Sequence, residues 1–206
     1  MNVSQVRTVE REYQGCDLCD LCDNRKHYPH FGMGHPESSI LVVMPEPYVT
    51  EETASDEKKL YDNGTIQKSH RLYKPFTSLL KNAGVSKLDV YITSSIMCPV
   101  KKGDRPSKDQ ILKCRDRLEK TVQAFNPKIL VLCGPISYFS WFAEMPDDKE
   151  YGLVFQNESK SIFYTRSVDY FLDLKESKEY PEEEIHNLAM DLLEDWKEIQ
   201  SLNKGE

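Results

Sequence analysis

Long hydrophobic runs are missing from this 206-residue chain. None approaches the ~18 apolar residues that a membrane-spanning helix requires. The expectation is therefore a protein with no membrane partner. The stretch from Met1 to Gln14 also lacks an apolar core, so no secretory signal is read there and the expected compartment is the cytoplasm. Basic residues are in deficit, with 27 Lys and Arg against 34 Asp and Glu, for a net charge of −7. Nonspecific phosphate binding is driven by Lys and Arg, so any DNA contact must come from local clusters. Two are visible, Arg115 with Arg117 and Lys101, Lys102 with Arg105. Each taken alone reads as solvated surface charge. There are no internal repeats and no low-complexity segments. What remains is globular: 39% hydrophobic and 30% charged residues, enough for one domain with a real core, spanning residues 1–206.

Four short apolar runs read as buried strands: Ile40–Met44, Val90–Ser94, Ile129–Cys133 and Ile162–Thr165. Helical patterns lie between them. Tyr73–Ala83 ends at Gly84, a stop signal. Ser107 is placed to cap Lys108–Phe125, with Ile111, Cys114, Leu118, Val122 and Phe125 on one face. Gly134-Pro135 opens a helix through Trp141. Glu182–Leu202 carries the stripe Ile185, Leu188, Leu192, Trp196 and Ile199 behind an acidic first turn. Residues 1–15 are expected to be a flexible lead, and 46–67 a variable loop. Strands alternating with helices imply a parallel sheet covered on both faces. Its ligand site belongs beyond the carboxyl ends of the strands, after Met44, Ser94, Cys133 and Thr165.

The six cysteines are read in a reducing setting, where disulfides are disfavoured and ligation gains weight. Cys16-Asp-Leu-Cys19 has the gap that lets two thiolates converge on one metal. Cys98 follows the second strand, and Cys114 sits in the next helix. On chemistry alone these four thiols suit zinc or an iron–sulfur cluster equally. Cys133 ends a strand core and reads as packing. Cys22 belongs to the same tight cluster as Cys16 and Cys19, within reach of the same site.

The segment Cys16-x-x-Cys19-x-Leu21-x-x-x-Arg25 resembles the opening motif of the family-4 uracil-DNA glycosylases. Gly32-Met-Gly34-His-Pro36 before the first strand is similar to that family's G-x-G segment. Val90-Tyr-Ile-Thr93 and Cys98 resemble its second strand and third ligand. Asp104-Arg105-Pro106 and Ile111-x-x-Cys114-x-x-x-Leu118 resemble its R-x-P turn and fourth-ligand helix. Asn126-Pro127-Lys128 leading to Gly134, and Asp191-Leu-Leu-Glu-Asp-Trp196, resemble a later strand and the closing helix. The resemblance implies a three-layer α/β/α sandwich around a four-stranded parallel sheet. It also implies a structural [4Fe–4S] cluster on Cys16, Cys19, Cys98 and Cys114, with Cys22 outside the ligand set; zinc is the alternative that the thiol chemistry alone leaves open.

The catalytic motifs depart from that family. Where it has G-E-x-P-G, this chain has Met44-Pro45-Glu46-Pro47-Tyr48, with the acid out of register and both glycines gone. The base-stacking phenylalanine falls near Lys68, and Phe76 lies in the next helix, where it reads as core. The asparagine that reads the uracil edge is Ser94. The T-x-H-P loop is Thr165-Arg166-Ser167-Val168, without its histidine. The candidate site is therefore Glu46 as acid, with Pro47, Ser94, Arg166 and Ser167 against substrate. Two functions follow from the resemblance. One is a DNA-binding or protein-interaction module in replication or repair. The other is a divergent glycosylase that excises uracil or another base.

Overall fold

The computed structural model describes residues 3–24, 31–35, 37–47, 71–101, 104–157 and 160–205. Strands β1 (Met33–Gly34), β2 (Ile40–Met44), β3 (Val90–Ser94), β4 (Ile129–Cys133), β5 (Val154–Asn157) and β6 (Lys160–Thr165) form one sheet in the order β1-β3-β2-β4-β6-β5. The four strands expected from sequence are its parallel centre, β3-β2-β4-β6. The expectation of a four-stranded parallel sheet is corrected at both edges. There β1 pairs antiparallel to β3, and β5 pairs antiparallel to β6. The physical reason is that edge strands bury one side at most, so neither produces a continuous apolar run.

Central strands are buried along their whole length because each face has its own core. Ile40, Val42, Met44, Ile129, Val131, Cys133 and Phe163 point to one side. Leu41, Val43, Leu130, Leu132, Ile162 and Tyr164 point to the other. This period-2 split in two cores is the three-layer sandwich. The first face is covered by α2 (Tyr73–Ala83), α5 (Val168–Ser177) and α6 (Glu182–Lys204). Phe76 is 1% exposed and meets the Trp196 ring edge-on at 5.5 Å, so it is a core residue, as read from sequence. The second face is covered by α1 (Val3–Tyr13), α3 (Lys108–Phe125) and α4 (Gly134–Phe142).

Helix α1 occupies most of the stretch expected to be a flexible lead. Val6, Val9 and Tyr13 are buried, and Lys120 of α3 reaches Glu12 at 2.5 Å and the Tyr13 hydroxyl at 3.1 Å. Helix α3 begins with a full capping box: the Gln110 N–H donates to Ser107 Oγ and the Ser107 N–H to Gln110 Oε1. The Gln110 amide also donates to Asp20 at 2.7 Å, tying the short turn Asp20–Asn24 to the start of α3. Gly34 runs so close to β3 that a Cβ there would lie 2.6 Å from Tyr91 Cα and Val90 O.

Candidate functional site

Register brings four strand ends to one edge. Met44 pairs with Ser94, Val43 with Leu132, and Cys133 with Thr165. Ser95 fastens the first two. Its N–H donates to Met44 O at 2.8 Å, and its hydroxyl lies 3.2 Å from the same oxygen. Ser137 and Ser140 of α4 complete a buried hydroxyl network with it, at 3.3 and 3.2 Å. Gly134, at φ +79°, lets the β4–α4 junction approach the β6 loop, where an added Cβ would sit 3.3 Å from Ser167 Cβ.

Glu46 and Pro47 leave the end of β2 half-buried. Burial, and then the nearby Asp169 carboxylate, push the Glu46 carboxyl above its ordinary range. A hydrogen bond from the Val100 backbone and the Arg71 cation oppose that. Ser94 is buried, and its hydroxyl donates to Ile96 O at 2.5 Å. The Ser167 hydroxyl donates to the Asp169 carboxylate. Arg166 lies over the Tyr151 ring, 4.4 Å from its centroid. It also favours the charged form of Asp195, which accepts a hydrogen bond from Thr165 at 2.6 Å. Thus Glu46, Ser167 and Asp169 form one acidic group, while Arg166 is engaged with Tyr151 and Asp195. The remainder of the variable loop after Pro47, with Lys68, falls outside the described residues, as does Arg25.

Asp169, Ser95 and Asp195 were not singled out from sequence. Only Asp169 left a local trace, as the acid two residues after Ser167 in the first turn of α5. Ser95 and Asp195 acquire their meaning from contacts across the fold.

The four expected ligands gather at a second place. Cys98 and Cys114 are buried, and Cys16 and Cys19 pack half-buried against the same small cluster, with Leu21, Ile96, Met97 and Ile111. Cys16 and Cys19 thus have an apolar surface beside them. All four thiols are free of disulfides. Cys19 feels Cys114 and Cys16 electrostatically, and burial pushes the Cys19 and Cys114 thiols up. Among the described residues, no three His, Cys, Asp or Glu side chains stand at metal-holding distance of one another. The donor set nonetheless fits a thiolate-bound group. It has four thiols outside any disulfide gathered at one end of the core, and Cys114 and Cys16 act electrostatically on the buried Arg117, whose Nε has no hydrogen-bond partner. Arg117 is 0% exposed, so the expected solvated pair of Arg115 and Arg117 does not exist. Cys133 is wholly buried within β4, away from this role.

Among the described residues, no helix is long and apolar enough to cross a membrane. Over 126 residues the chain is 27% identical to a type-4 uracil-DNA glycosylase of Archaeoglobus fulgidus, covering 61% of this chain and 58% of that protein. The chain thus spans less than two thirds of that relative. Residues 31–182 match the family model described as uracil DNA glycosylase superfamily. That segment contains all four parallel strands, both acids of the strand-end group and two of the four cysteines, and on it the chain belongs to the uracil-DNA glycosylase superfamily.

Proposed function

We propose that this chain is a [4Fe–4S] protein of the superfamily that serves as a DNA-binding or protein-interaction module in replication or repair, and that it excises uracil poorly. Cys16, Cys19, Cys98 and Cys114 would hold the cluster, which supplies a structural cross-link between the N-terminal segment and the loop after β3. The observation that carries the functional reading is the internal use of the two serines. Ser94 donates to Ile96 O and Ser167 to Asp169. Both hydroxyls have internal acceptors at the positions where the resemblance puts the base reader and the charge-stabilising histidine.

The chemistry follows from that. Breaking an N-glycosidic bond leaves negative charge on the base, and a glycosylase must meet it with fixed donors. Here Glu46 and Asp169 bring two carboxylates to the strand ends instead. Losing one oxyanion donor costs roughly 10²–10³ in rate. An added carboxylate opposes the same charge.

A second reading, an active but divergent glycosylase, rests on Glu46 itself. A half-buried carboxyl raised by burial and a neighbouring acid is the kind of group that performs proton chemistry. One experiment separates the two: excision of uracil and other deaminated bases, run beside a salt-dependent DNA-binding titration. Binding without excision supports the module, and robust excision overturns it.

A further inference from the structure

Arg117 projects from α3 into the interior three residues after Cys114, and it is 0% exposed. One guanidinium nitrogen donates to Thr93 Oγ1 at 3.0 Å. The other donates to the Ser94 carbonyl and lies 3.4 Å from that of Ser95. Thr93 in turn donates to Phe31 O at 2.5 Å. All of these acceptors are neutral, and Nε has none. Among the described residues no carboxylate forms an ion pair with Arg117. A cation buried without a countercharge costs several kcal/mol, and guanidinium does not escape by losing its proton. The negative charge has to come from somewhere near. Burial, the largest effect, pushes the Arg117 guanidinium down, and the groups that oppose it are Cys114 first, then Tyr91, Tyr13 and Cys16. Two of these are proposed ligands, and thiolates on a metal cluster are anionic where free thiols are not.

We propose that Arg117 is the buried countercharge of the cysteine-bound cluster, and that through Thr93, Ser94 and Ser95 it couples occupation of the cluster to the carboxyl end of β3. The inference rests on the cluster reading above. Arg117 acts as a positioning residue: it touches the strand end, and the sulfurs act on it by charge. Removing the cluster leaves the guanidinium unneutralised, so the Ser94–Ser95 backbone it holds is loosened first.

The test uses the full chain purified anaerobically, as wild type, Arg117→Lys, Arg117→Met and Thr93→Val. Iron content, the rate of iron release to a chelator and the reduction potential are measured on each. Arg117→Met is expected to release iron ~10-fold faster or more, the range found for groups that support ligands from outside the coordination shell. It is also expected to lower the potential, since a positive charge near the cluster favours the reduced form. Arg117→Lys restores both toward wild type, and Thr93→Val, which removes a bond but no charge, changes neither. Arg117→Met with wild-type release and potential overturns the proposal, as does Thr93→Val matching its effect. Wild type alone supplies a second measurement that survives misfolding of the variants. On iron removal, amide exchange at Ser94 and Ser95 should accelerate more than in β5, and equal change overturns the coupling. Iron-free wild type after anaerobic preparation overturns the cluster reading and this inference with it. Iron-loaded wild type with an indifferent Arg117→Met overturns this inference alone.

Discussion

Ser94 donates to Ile96 O just after β3, and Ser167 donates to Asp169 in the first turn of α5; on the proposed reading these two serines stand where a base would be held. The double variant Ser94→Asn with Ser167→His removes both internal bonds and supplies an edge reader and a charge stabiliser. Uracil excision is expected to rise by about 10²-fold or more, since one such donor is worth that much; single-turnover cleavage of a uracil-containing strand measures it. Any activity already present should vanish in Glu46→Gln, which keeps the shape and removes the acid. Asp195 gives a pH signature at the same scale. Burial pushes its carboxyl from 3.8 up to about 6, with Thr165 and Arg166 opposing. Between those values the folded chain keeps a proton that the unfolded chain releases, so stability falls as pH rises through that window and levels off above it. Asp195 is partly exposed, which reduces the effect to about 1 kcal/mol. Asp195→Asn should gain that much at pH 7, and its stability difference from wild type should disappear at pH 3. Urea unfolding across pH reads both.

At the scale of elements, packing decided what pattern left open. Helix α3 was readable to the residue, because Ser107 and Gln110 form a capping box and the apolar face recurs at helical spacing. Helix α1 carries Val6, Val9 and Tyr13 at the same spacing, but its strongly polar remainder masked the stripe. Val168, Phe171 and Leu174 form a comparably short buried stripe in α5. Strand β1 has two residues, too few to show any period. Its position is fixed by β3, and Gly34 is what permits the approach. Gly34→Ala would put a methyl group 2.6 Å from β3 backbone atoms at φ +144°. A loss of about 1–3 kcal/mol is expected, seen as a lower urea midpoint.

For the whole molecule, the test is iron. Anaerobically purified protein should be brown, absorb broadly near ~400 nm and carry about four irons per chain. Stoichiometric zinc without iron would refute the assignment. Cys16→Ser, Cys19→Ser, Cys98→Ser and Cys114→Ser should each bleach the protein and lower its solubility, because on the proposed reading each thiol would hold one group that joins two distant parts of the chain. Cys133→Ser should keep its colour, since that thiol lies inside β4. Cys22→Ser should keep it too. A colourless Cys22→Ser beside a brown Cys16→Ser would exchange the two in the ligand set.

The sequence by itself determined the parallel centre of the sheet, because strands buried on both faces must be continuously apolar. It also determined α2, α3, α4 and α6 and the segments where a site must lie, since those follow from periodicity, caps and strand ends. Only the tertiary structure decided the antiparallel edges, whose half-buried residues carry no distinctive pattern. It alone set Asp169 beside Glu46 and turned Arg117 from an apparent surface charge into a buried cation near Cys114. Such relations depend on which residues meet across β3, α3 and α5, and spacing along the chain does not encode distance across a core.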